Sequence, residues 1–150
     1  MIPIAVERLI PHRERMKLVD EIIHVDHEMA VSLSTVTNQW PLQDGLFVSA
    51  LILIELMAQT SAITIGWKEL KNNPNSPDGK GWLVGIKSAS FHLDKIPVHS
   101  RITTRSVITI QMDHYTEMHG YSIIGDIPVG EAVLQVMRAE REDDSDESGR

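Results

Sequence analysis

One carboxylate interrupts the most apolar stretch of the chain. Between residues 47 and 66 every residue is apolar, small or an uncharged polar one, except Glu55. Gln59 follows one helical turn later. Residues at i and i+4 share a helix face, so this amide can orient the carboxylate by a hydrogen bond. A carboxylate taken out of water is costly unless it is paired or protonated. Burial without a cation raises its pKa. Such a group is suited to proton transfer near neutral pH. The nearest cations along the chain, Arg15, Lys17 and Lys68, are well separated from Glu55, so no local salt bridge is evident. The competing reading is a purely structural carboxylate that faces a polar notch or a subunit partner.

Other chemistries find little support. There is no Cys, which excludes disulfides, thiolate zinc sites and thiol catalysis. The seven His form no HxH and no i, i+4 pair, so no metal site is expected. There is no Ser-His-Asp order, no G-x-S-x-G and no Gly-rich phosphate loop, and no cofactor is implied. The net charge is −7. Residues 140–150 hold six acids and two Arg and so carry −4 of it, which leaves −3 on the body. With no basic stripe and few aromatics, nucleic acid is not an expected partner. The N-terminus lacks a basic region followed by an apolar run, and the chain reads as cytoplasmic.

The elements that must position Glu55 follow from pattern. Two alternating runs, residues 18–26 and 29–37, read as a hairpin. A helix is expected over residues 48–70, with Ser49 as a possible N-cap. The breaker-rich "KNNPNSPDGKG" ends it. Polar residues within 47–66, Glu55 among them, argue against a membrane span. Four strands follow at 82–93, 101–112, 119–126 and 131–138, with turns expected at "TEMHG" and at Pro128. A helix apolar on nearly all faces must be wrapped, and an antiparallel sheet curled around it does this. The expected fold is α+β, of the hotdog type. It forms one domain over residues 1–140, with a disordered acidic tail at 141–150.

Three segments carry a family resemblance. "LIPHRERMKLVDEI" resembles the "LPHR-x-P-M-L-L-V-D-x-I" opening of the 3-hydroxyacyl-acyl-carrier-protein dehydratases, a hotdog-fold family. "LILIELMAQ" resembles their "xxxIExMAQ" helix, and "LVGIKSASFHLDKIPVHSRI" resembles their "xxGIxxxxFxxxVxPGDxL" strand pair. The resemblance implies a homodimer that removes water from a 3-hydroxyacyl chain on acyl-carrier protein, giving a trans-2-enoyl chain. It puts Glu55 at the position of the family's glutamate, near the dimer interface and opening into a tunnel between subunits. His12, in the "PHR" segment, takes a structural role by the same resemblance. His99 falls in a surface turn.

One departure stands out. The family's second proton carrier is a His in a "GHFPG" loop fourteen residues before the Glu. Pro41 occupies that position here, and no His lies between His27 and His92. The chain is therefore more similar to a divergent branch, the predicted dehydratases of aryl-polyene and related lipid pathways. These carry "D-G-x-x-x-A", "IExMAQ" and "LHVDxLPxGxxL", lack the loop His, and resemble one half of a heterodimer with a His-bearing hotdog protein. "DGLFVSA" and "FHLDKIPVHSRI" are the matching segments. On this resemblance Asp44 lies near the substrate channel, although a plain Asp-Gly turn explains it as well. Free backbone N–H groups at Ser49 and Ala50 would polarise a thioester carbonyl. Gly85 would let a pantetheine arm approach its strand, the alternative being a bulge. Arg8, Arg13, Arg15 and Lys17 offer a docking patch for an acidic carrier protein or merely a solvated face. Two other functions stay open: a non-catalytic acyl-binding subunit, and a thioesterase for acyl-carrier-protein or coenzyme A thioesters that uses Glu55 to activate water.

Overall fold

The computed structural model describes residues 4–72 and 81–138. The expected acidic tail, and most of the breaker run after the helix, lie outside the described residues. Strands β1 (Glu21–Val25) and β2 (Met29–Thr35) form the expected antiparallel hairpin. Asp26 closes it, because its Oδ1 accepts the N–H groups of Glu28 and Met29 at 2.8 and 2.9 Å, the local turn that Asp favours. Two short strands come next, β3 (Gln43–Asp44) and β4 (Phe47–Ser49). Gly45 sits between them at φ 61°, a left-handed value that glycine adopts without steric cost. Helix α1 spans Ile52–Asn72. Then follow β5 (Gly81–Phe91), β6 (Lys95–Pro97), β7 (Arg101–Gln111), β8 (Tyr115–Ile124) and β9 (Ile127–Arg138).

Six strands build one antiparallel sheet in the order β1-β2-β7-β8-β9-β5, and β3-β4-β6 build a small second one. In the large sheet alternate residues are buried: Ala30, Ser32 and Ser34 on β2, Ile102, Thr104 and Ser106 on β7. This face packs on α1, giving the α+β hotdog arrangement. The helix–sheet seam is not wholly apolar. Ser32 bonds Thr60 at 2.8 Å, Ser61 bonds Ser106 at 2.6 Å, and Thr104 bonds Ser122 at 2.8 Å, all buried. Each satisfied pair contributes about 1 kcal/mol, and the short side chains let helix and sheet approach closely. A Cβ on Gly120 of β8 would lie 2.7 Å from the Met57 side chain of α1.

The N-terminal segment covers α1 elsewhere. Val6, Leu9, Ile10 and Leu18 join the core. A Cβ on Gly66 would collide with the Leu9 carbonyl oxygen, so glycine is what admits this backbone.

Three boundaries differ from expectation. The helix starts at Ile52 rather than residue 48, because Phe47–Ser49 pairs with Lys95–Pro97 as a strand. The "TEMHG" segment lies inside β8, and the turn precedes it, where Met112 N–H donates to the Tyr115 carbonyl at 2.8 Å. Pro128 lies inside β9 next to an irregularity in the ladder. Such a position tolerates a residue with no N–H, and the turn falls instead at Gly125 (φ 61°) and Asp126. At the far edge of the sheet, β5 carries two bulges and exposes Trp82, Leu83, Val84 and Ile86.

Candidate active site

Glu55 stands in the first turn of α1, with its side chain 33% exposed. Its Oε1 accepts a hydrogen bond from Gln59 Nε2 at 3.0 Å. The same oxygen lies 3.1 Å from Nε2 of His12, a side chain that is 27% exposed. Gln59 is fully buried. Its Oε1 accepts the Leu18 N–H at 2.8 Å, and its Nε2 also donates to the Met16 carbonyl. Gln59 therefore ties the carboxylate to the N-terminal segment.

His12 is carried by a loop that Arg13 clamps. Arg13 Nη1 donates to the carbonyls of Ile10 and His12 at 2.7 and 2.8 Å, and Nη2 donates to that of Glu7 at 2.7 Å. Buried Leu9 and Ile10 anchor the loop from below.

This geometry corrects the expectation of a cation-free carboxylate with a raised pKa. Burial is the largest single influence on Glu55 and does push its carboxyl up. The hydrogen bonds from His12 and Gln59, with the charge a protonated His12 brings, together outweigh it and hold the carboxyl below the usual value. The lowered value favours the ionised carboxylate at neutral pH.

The other expected residues are placed as follows. The Ser49 N–H donates to the Leu42 carbonyl at 3.1 Å and the Ala50 N–H to the Asp94 carbonyl at 2.9 Å. Neither amide is free to polarise a thioester, because strand pairing ahead of the helix consumes both. Ser49 Oγ accepts the Leu51 N–H at 3.3 Å, one residue short of the helix itself. Asp44 is exposed at the β3–β4 tip, opposite Phe47. Gly85 follows a bulge in β5, and a Cβ there would meet the Gln135 side chain of β9. Of the basic N-terminal residues, Arg13 is turned inward to carbonyls, Lys17 pairs with Glu7, and Arg15 reaches the Gln39 carbonyl at 3.3 Å. Among the described residues no three His, Asp or Glu gather as metal ligands, and no helix is long and apolar enough to cross a membrane.

The residue that sequence reasoning assigned to structure alone is His12, whose Nε2 meets Glu55 from 43 positions away. The only sequence signal was its place in a "PHR" turn.

Comparison with known proteins gives the setting. A 3-hydroxyacyl-[acyl-carrier-protein] dehydratase FabZ from Solibacter usitatus is 24% identical over 143 residues, 92% of this chain and 85% of that protein. Another FabZ, from Cereibacter sphaeroides, is 33% identical over 98 residues, 61% of each. Among solved structures, the dehydratase heterocomplex ApeI:P from Xenorhabdus doucetiae superposes with a TM-score of 0.82 at 19% identity, covering 92% of this chain and 93% of that one. The family model for the ApeP dehydratases matches residues 4–147. The match spans nearly the whole chain, and the chain belongs to the ApeP-like dehydratase family.

Proposed function

We propose that the chain is one subunit of a cytoplasmic dehydratase for 3-hydroxyacyl thioesters on acyl-carrier protein, paired with a His-bearing hotdog chain. The observation that carries this reading is Glu55, one-third exposed and held by Gln59 and His12 at the start of the core helix. Dehydration needs a base for the C2 proton and an acid for the departing C3 hydroxyl. Glu55 takes the C2 proton. The electron pair moves toward the thioester carbonyl, then forms the C2–C3 double bond as the C3–O bond breaks. The leaving oxygen takes a proton from the partner's His and departs as water. Lowering the barrier by one positioned base is worth about a hundred- to ten-thousand-fold.

The exposed apolar edge of β5 is where we seat the partner. An edge strand paired on one side only among the described residues, with Trp82, Val84 and Ile86 in solvent, is a template for strand addition. The ApeI:P heterocomplex, a structure of this fold, supports the pairing by analogy.

A second reading has its own observation. Because Ser49 and Ala50 spend their amides within the chain, this subunit could serve only to stabilise a catalytic partner. The test is dehydration of 3-hydroxyacyl-acyl-carrier protein to the trans-2-enoyl product, followed by mass spectrometry. It compares the partner alone, the complex, and the complex with Glu55→Gln. The proposed function expects the complex to be active and the variant complex to lose about a hundredfold or more. A fully active variant complex would establish the stabilising role instead.

A further inference from the structure

The N-terminal segment is tied to one face of α1 at three levels. Glu55, Gln59 and Gly66 fall on that face, since i, i+4 and i+11 recur at the helical period. Glu55 meets His12, Gln59 meets the backbone of Met16 and Leu18, and Gly66 admits the carbonyl of Leu9. The loop holding His12 is therefore fixed at both ends, and the Arg13 clamp fixes it within.

The two ring nitrogens of His12 sit in different surroundings. Nε2 faces Glu55 Oε1, while Nδ1 is buried with no hydrogen-bond partner. A buried N–H without an acceptor costs more than a buried lone pair, so the tautomer assigned by this geometry carries its proton on Nε2 and gives it to Glu55. That nitrogen is then committed to the carboxylate and not offered to a substrate.

Other charges are turned away. Arg13 points to carbonyls, Lys17 pairs with Glu7, and Arg15 reaches Gln39. From the helix only Gln59 contributes, and it is neutral. Among the described residues His12 is the one titratable neighbour acting on Glu55.

We propose that His12 is a positioning residue, whose Nε2–H holds and aims the Glu55 carboxylate, and that it transfers no proton to or from the substrate. The inference deepens the dehydratase reading and rests on it for its catalytic meaning, but its physical content is testable without turnover.

The experiment follows the Glu55 carboxyl by carbon-13 NMR across pH in the full chain, as wild type, His12→Phe and His12→Gln. Phe keeps a flat ring and removes the donor. Gln replaces the donor in a different frame and guards against a Phe variant that folds poorly. The expected result is a Glu55 titration shifted upward in His12→Phe and brought back toward wild type in His12→Gln. In the complex, the acid limb of the pH–rate profile shifts with it, and the rate above that limb stays within about tenfold, well short of the loss on removing a proton carrier. A Glu55 titration unmoved by His12→Phe overturns the inference. So does loss of turnover at every pH in both variants, which would make His12 a proton carrier. If the wild-type complex does not dehydrate at all, the dehydratase reading fails while the NMR titration still decides the role of His12.

Discussion

Replacing Glu55 by Gln and by Ala separates a charge that does chemistry from one that only anchors. Both donors converge on Oε1, Gln59 at 3.0 Å and His12 at 3.1 Å. A glutamine carbonyl placed there accepts both bonds. What it loses is charge assistance, since bonds to ionised groups contribute about 1.5–3 kcal/mol against about 0.5–1.5 for neutral ones. Two such reductions come to about 2 kcal/mol at full burial. The side chain is one-third exposed, so solvent screening trims this, and the relieved desolvation of the carboxylate offsets more. Glu55→Gln should melt within about 1 kcal/mol of wild type, or about 2–4 °C for a chain of this size. Glu55→Ala removes the acceptor from two donors and should cost about 1–3 kcal/mol. The sign with pH follows from the lowered carboxyl. The charge-dependent stability is present above the ordinary carboxylate pKa and is lost as pH falls through the lower, folded value. The gap between wild type and Glu55→Gln should therefore close in acid. The assay is thermal unfolding by circular dichroism at neutral and acid pH, beside the dehydration assay. A Gln variant that melts as low as the Ala variant at neutral pH would refute the reasoning, and the charge would then be the anchor.

Two further outcomes follow from single positions. Gly66→Ala puts a methyl group into the Leu9 carbonyl, so the backbone must shift and the variant should lose about 1–3 kcal/mol by denaturant melt; an unchanged midpoint would show that the N-terminal segment yields freely. Asp26 is held down to about 2, first by the His24 side chain and then by the N–H groups of Glu28 and Met29, against burial. Its contribution to the β1–β2 turn should be complete above the usual Asp range and fade as pH falls toward 2, read as loss of amide protection at Glu28 and Met29 that Asp26→Asn alters.

How much of this was legible depends on distance along the chain. The Glu55–Gln59 bond is an i, i+4 contact, and spacing alone exposed it. His12 belongs to the same cluster, but only the folded N-terminal segment brings it there, so pattern reading found neither the partner nor the downward pull on the carboxyl. The wrapped helix was legible because its apolar residues leave no solvent face. Its start was not: a continuous apolar run has no period that separates strand β4 from the first turn of α1. That error carried the mistaken assignment of free amides at Ser49 and Ala50. Gly120 and Pro128 were misread as turn markers because both also serve in strands, one for close packing on Met57 and one at a ladder irregularity. His99 sits at φ 76° in an exposed turn, where the resembling "LPxGxxL" pattern has glycine. The pattern thus marked a left-handed position even though the residue type did not.

The distribution of histidines explains why a second chain enters the proposed chemistry. Within hydrogen-bond range of Glu55 the described histidines supply only His12, and its outward nitrogen is already given to the carboxylate. His24 pairs with Asp26 and His119 with Glu131, while His27 stacks edge-on against Trp67. His99 is exposed in its turn. The loop ahead of the helix, where the family's second proton carrier would stand, offers Pro41. On the proposed reading this chain supplies a base already ionised and already aimed, and lacks the acid that must meet the leaving hydroxyl. A homodimer would duplicate that deficiency, since two copies bring two bases and no loop acid. A partner that contributes a His across the exposed β5 edge removes it.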